Sequence, residues 1–134
     1  MNILEGLNEQ QSQAVQATKG PVLVLAGAGS GKTKALVHRI AYLIKEERVK
    51  PEQILAVTFT NKAAEEMKKR VAELLGIPGS KIPKFGNQLD QTLFPVMGTF
   101  HSLSVRILRK EAGLIGYKNE FVIYDTNDQK STIK

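Results

Sequence analysis

No cysteine occurs among the 134 residues. Disulfides and thiolate metal sites are therefore excluded, a composition suited to a reducing compartment. Histidine appears only twice, at His38 and His101, too few to build a zinc site unaided. Long apolar runs are missing too: none approaches the roughly 20 residues that cross a bilayer. The acidic N-terminus lacks the basic start of a signal peptide, so a cytoplasmic protein without a membrane partner is expected. Internal repeats and low-complexity segments are absent. With 42% hydrophobic and 24% charged residues, the chain is expected to bury a core as one soluble domain or less.

Positive charge is what the sequence has in excess, with a formal net charge of +6. It is unevenly placed. Residues 32–110 carry 15 Lys and Arg against seven Asp and Glu, while the remainder carries four against six. Such a basic middle suits a polyanion, either a nucleotide alone or nucleic acid as well. A merely solvated basic surface would give the same count.

Within that stretch one motif dominates. Ala26, Gly27, Ala28, Gly29, Ser30, Gly31, Lys32 and Thr33 follow the apolar run Val22, Leu23, Val24 and Leu25. They read as a strand, a phosphate-wrapping loop and a helix start. Only residues with little or no Cβ let backbone N–H groups approach β- and γ-phosphate oxygens closely. Lys32 adds a mobile ammonium and Thr33 a hydroxyl for Mg²⁺. Helical spacing follows at Leu36, Val37, Ile40, Ala41, Leu43 and Ile44, which an ordinary Gly-rich turn does not require. Ala26 stands at the motif's first glycine position, a swap it tolerates.

Alternating elements are predicted around this loop. Residues 7–17 read as a helix, with Asn8 as N-cap and Gln11 as its reciprocal capping-box partner. The run at 22–25 reads as a first buried strand, and residues 32–47 as a helix. Residues 54–58 read as a second strand, and 62–75 as a helix stopped by Gly76. Residues 76–93 contain Pro78, Gly79, Pro83, Gly86 and Asn87 and read as a long mobile loop. A third strand is expected over 94–98, short because of Pro95. A helix over 101–112 ended by Gly113, a brief extended piece at 121–124 and a helix capped by Asp125 complete the reading. The alternation implies a parallel sheet covered on both faces, with functional loops at the C-terminal ends of its strands.

Two of those loops share a pattern. Thr58, Phe59, Thr60, Asn61 and Lys62 follow the second strand; Gly98, Thr99, Phe100, His101 and Ser102 span the end of the third. Each sets an aromatic among hydroxyl-bearing residues at a strand-to-helix junction. Phe59 and Phe100 could stack on bases while their neighbours and the helix N-terminal amides bond phosphates of an unpaired strand. Taken singly, a Phe at a strand end is as readily core, and Thr or Asn before a helix is as readily a cap.

These motifs, in order with Leu7, Asn8, Glu9, Gln10 and Gln11 at the start and Ala63 and Ala64 after Lys62, resemble the N-terminus of the UvrD/Rep/PcrA-type DNA helicases of superfamily one. Four ordered motifs carry the resemblance, which spans nearly the whole chain, including Phe121, Val122, Ile123, Tyr124 and Asp125 with Asp128 and Gln129. It is weakest over 77–93. It implies an α/β fold of the RecA-like P-loop NTPase kind, with 1–110 as part of motor domain 1A and 111–134 as the start of an insertion, 1B. Gln11 would read the adenine edge, with or instead of capping its helix. Lys32 and Thr33 would be the catalytic pair on phosphates and Mg²⁺. Lys34 stands where the family often has arginine, which loses a planar fork for bidentate contact. Thr58 to Lys62, with Thr99, Phe100 and His101, would contact single-stranded DNA. For His101 a backbone-bonded helix-start role is the alternative, and His38 reads as structural.

The resemblance also marks what is missing. The family's Asp-Glu motif and the later arginines, which position water and stabilise the transferring phosphate, have no counterpart here. The expectation is an N-terminal piece of an ATP-dependent helicase acting in repair or replication. It would carry half an ATP site and part of a DNA track. The alternatives are a stand-alone nucleotide or single-strand binding module and a small-molecule P-loop kinase. The two Thr-Phe motifs and the lack of a recognisable acceptor site speak against the kinase.

Overall fold

Asn8 opens the first helix, α1 (Glu9–Gln16), through the reciprocal cap its sequence predicts. Its Oδ1 accepts the Gln11 N–H at 2.8 Å, and Gln11 Oε1 accepts the Asn8 N–H at 3.1 Å. The computed structural model describes residues 2–82 and 94–133. They divide into two compact units, Met1–Thr99 and Phe100–Lys134.

In the first unit the phosphate-loop sequence leads straight into α2 (Lys32–Lys45). A 3₁₀ turn over Pro51–Gln53 then feeds β1 (Leu55–Thr58), which is followed by α3 (Asn61–Leu75) and β2 (Val96–Thr99). Thr60 caps α3 by accepting the Ala63 N–H at 3.2 Å. Gly76 ends it at φ 70°, a left-handed conformation that side chains disfavour. Strands β1 and β2 pair in parallel, Ala56 opposite Met97 and Thr58 opposite Thr99. The crossover between them contains α3.

The core lies where α2 and α3 meet this pair. Val37 and Ile40 of α2, Met67 and Val71 of α3, Ala56, Phe94 and Met97 are buried together. Each large side chain removed from water contributes about 1.5–3 kcal/mol. Lys45 Nζ donates to the Leu74 carbonyl at 2.9 Å, tying the end of α2 to the end of α3. These contacts fix where α2 starts, and with it the end of the Gly-rich loop, and where α3 begins.

Three expectations for this unit are corrected. Residues 22–25 form no strand: the sheet is the pair β1–β2, and Leu23 is 83% exposed. An apolar β-branched run becomes a strand only when a neighbour supplies ladder partners for its N–H and C=O groups, and the described residues supply none. The sheet is therefore two-stranded among the described residues, not three-stranded. Nor is it covered on both faces, because Ala56 is buried while Leu55, on the opposite face, is 60% exposed. Within the expected 76–93 loop, residues 79–81 form a 3₁₀ turn; residues 83–93 lie outside the described residues.

The second unit contains α4 (Phe100–Glu111), a 3₁₀ turn over Ala112–Ile115 and α5 (Thr126–Thr132). Gly113 was expected to end the helix, but it sits inside the 3₁₀ turn. The left-handed stop is Gly116 at φ 81°, because the chain tightens by one further turn before reversing. Residues 121–124 form no ladder. Asp125 caps α5 as expected, accepting N–H groups from Asn127 and Asp128 at 2.7 and 2.9 Å.

Candidate nucleotide site

The loop 26–33 is shaped by its small residues. Gly29 and Gly31 have φ of 74° and 82°, and Gly31 is the N-cap of α2. A side chain at Gly31 would be strained by that φ and would collide with Gln11 Nε2. The Gly27 carbonyl is the loop's hub: it accepts Lys32 Nζ at 2.7 Å and Ser30 Oγ at 2.6 Å. Lys32 thus folds back across the loop, its ammonium held by the Gly27 carbonyl.

Beside the loop lies a groove of about 250 Å³ lined by α1, residues 24–27 and the start of α2. The structure brings Gln11, Ala26, Gly27, Ser30, Gly31 and Lys32 together on it. It does not bring Lys34, whose Nζ donates to the Gly6 carbonyl at 2.5 Å. Thr33 is exposed in the first turn of α2. Gln11 forms its expected cap, and its Nε2 also donates to the Ser30 carbonyl at 3.0 Å, a contact the sequence did not indicate. His38 is buried and its Nδ1 donates to the Ile3 carbonyl at 2.5 Å, the structural role its position in the helix suggests.

Sequence reasoning missed Arg39 here. Its NH1 donates to the Ala14 carbonyl at 2.5 Å, and it shares a 120 Å³ cavity with Lys32, Val24 and Leu36. The available signal was spacing, since Arg39 lies two helical turns after Lys32 on the same face. Gln10 and Ala14, which also line the groove, carried no comparable signal.

At the C-terminal end of β1, Phe59 is 90% exposed in this chain. Thr60 is the α3 cap, and Thr58 Oγ1 donates to the Thr60 carbonyl at 3.0 Å, leaving Asn61 and Lys62 exposed in the first turn. Thr99, at the corresponding end of β2, is only 7% exposed. In the second unit Phe100 is 50% exposed and His101 is exposed at the start of α4. Among the described residues no group of three or more acidic, His or Cys side chains could hold a metal ion, and no helix is long and apolar enough to cross a membrane.

A family model described as the UvrD/REP helicase N-terminal domain matches residues 7–134. Over 132 residues, 98% of its length, the chain is 52% identical to the ATP-dependent DNA helicase PcrA of Staphylococcus aureus (strain Mu50 / ATCC 700699). Over the same length it is 51% identical to the ATP-dependent DNA helicase PcrA of Staphylococcus epidermidis (strain ATCC 12228 / FDA PCI 1200). It spans 16% of the length of each of these relatives.

Proposed function

We propose, from the premise that this chain belongs to the UvrD/REP helicase N-terminal family, that it forms the first part of an ATP-dependent DNA helicase. It contributes half of the ATP site and a section of a single-stranded DNA track. The observation that carries the reading is the loop at the start of α2, where Lys32 Nζ reaches back to Gly27 O across left-handed glycines. Such an arrangement of backbone donors and a mobile ammonium fits the phosphates of a nucleotide.

Lys32 exchanges its bond to Gly27 O for phosphate oxygens, and backbone N–H groups of 27–33 take the remaining charge. Thr33 offers the hydroxyl that would hold Mg²⁺, which when bound neutralises phosphate charge. Gln11, on the same groove, faces the base. Phe59 supplies a stacking face for an unpaired strand, with Thr60, Asn61 and Lys62 and the N-terminus of α3 on its phosphates. Thr99 and, in the second unit, Phe100 and His101 are further contacts for single-stranded DNA. In the parent, residues 1–110 belong to motor domain 1A and 111–134 begin the 1B insertion. Its setting is cytoplasmic DNA repair or replication.

Single-turnover ATP hydrolysis by the full-length protein, with and without oligothymidine, tests the reading. Stimulation by DNA is expected. Removing the Lys32 ammonium deletes a charge-assisted contact of about 1.5–3 kcal/mol, so Lys32→Ala should bind nucleotide about ten- to a hundredfold more weakly. Transfer to a small acceptor without DNA would indicate a kinase, and binding without turnover a non-enzymatic module.

A further inference from the structure

We infer that Gln11 is a positioning residue for the phosphate loop, so that it supports phosphate binding whether or not a base is attached. The inference rests on the nucleotide-site reading above. Three contacts carry it. Gln11 Oε1 is engaged by the Asn8 N–H at 3.1 Å, and a carboxamide whose oxygen is anchored presents its NH₂ on the other side. That NH₂ donates to the Ser30 carbonyl at 3.0 Å. It also occupies the space beside Gly31 that a Cβ there would take.

The consequence follows from peptide geometry. Ser30 and Gly31 are joined by a planar trans peptide, whose C=O and N–H point in opposite directions. Holding the Ser30 carbonyl toward α1 turns the Gly31 N–H away from α1. The Gly31 N–H is one of the donors on which the loop's attraction for anions depends. Gln11 thereby links the cap of α1 to the orientation of a phosphate donor 20 residues later in the chain.

Equilibrium binding of inorganic tripolyphosphate with Mg²⁺, a ligand without a base, separates this role from base reading. In the full-length protein, Gln11→Met removes the donor without adding charge, and Gln11→Glu keeps the cap acceptor while removing the donor. Gln11→Met should weaken tripolyphosphate and ATP by the same factor, about three- to tenfold for one lost exposed hydrogen bond, and Gln11→Glu should weaken both by more, because its carboxylate also repels phosphate. Asn8→Ala breaks the cap from its other end but keeps the Asn8 N–H on Gln11. It should lower the melting temperature and leave tripolyphosphate affinity unchanged. If Gln11→Met binds tripolyphosphate as tightly as the unsubstituted protein while ATP weakens, Gln11 reads the base only and the inference falls. If Asn8→Ala weakens tripolyphosphate as much as Gln11→Met does, Gln11 acts only through helix stability, and the inference falls again. Tripolyphosphate binding that Lys32→Ala leaves undiminished overturns the nucleotide-site reading itself, and this inference with it.

Discussion

Phe59 is the residue at which physical chemistry makes the sharpest demand. A ring 90% exposed at a strand end adds little to the fold, and exposed substitutions usually change stability by less than about 0.5 kcal/mol. Stacking on a base is worth about 1–3 kcal/mol. Phe59→Ala in the full-length protein should therefore melt like the parent and bind oligothymidine about tenfold more weakly, with nucleotide affinity unchanged. Affinity for the oligonucleotide should fall with salt, as phosphate contacts require. Undiminished oligothymidine binding by a normally melting variant would take Phe59 off the track. The sequence showed this aromatic at a strand-to-helix junction but could not show its exposure, which depends on what packs over it. Lys34 marks the converse limit: adjacent in sequence to the phosphate motif, it is drawn to the Gly6 carbonyl.

At the scale of elements, helix ends were the most legible features. Asn8, Gly76 and Asp125 end or start helices where the sequence places them, while α3 starts one residue earlier than expected with Thr60 as its cap; caps are legible because they are made by residues two to four apart. The Asp125 cap carries a pH dependence. Backbone N–H groups of Asp128 and then Asn127 donate to its carboxylate and hold its pKa below the ordinary 3.8. A depressed pKa stabilises α5 fully above the unfolded value, and that contribution disappears as pH falls through the folded one. Amide exchange at Asn127 and Asp128 should thus be pH-normal near neutrality and lose protection only below about pH 4. Protection unchanged down to pH 2 would mean that the carboxylate does not support the cap. Residues 22–25 illustrate what elements cannot settle alone. Their composition fits a strand, yet strands are made in pairs, and the partner is not written in the run itself.

For the whole molecule, the chain spans 16% of the length of its helicase relatives, and in the reading proposed above the arginines that stabilise the transferring phosphate lie outside it. Loss of a single transition-state arginine costs about 10³–10⁵ in rate. The 134-residue chain by itself should therefore show negligible multiple-turnover ATPase. A steady-state assay on protein freed of contaminating ATPase checks this. Turnover near 1 s⁻¹ that vanishes in Lys32→Ala would place a complete catalytic apparatus within these residues.

The sequence by itself determined the Gly-rich loop before α2, the order of the helices, several of their ends, and the family. Each rests on near neighbours: small residues before Gly-Lys-Thr, caps at fixed offsets, and motifs in order. Tertiary structure alone decided that Gln11 holds the Ser30 carbonyl, that Arg39 holds the Ala14 carbonyl, that Phe59 stands exposed while Thr99 is buried, and that residues 22–25 lack ladder partners. Those outcomes depend on which distant segments meet. Hydrogen-bond partners and burial are properties of the packed chain, whereas a cap or a left-handed glycine is a property of a few consecutive residues.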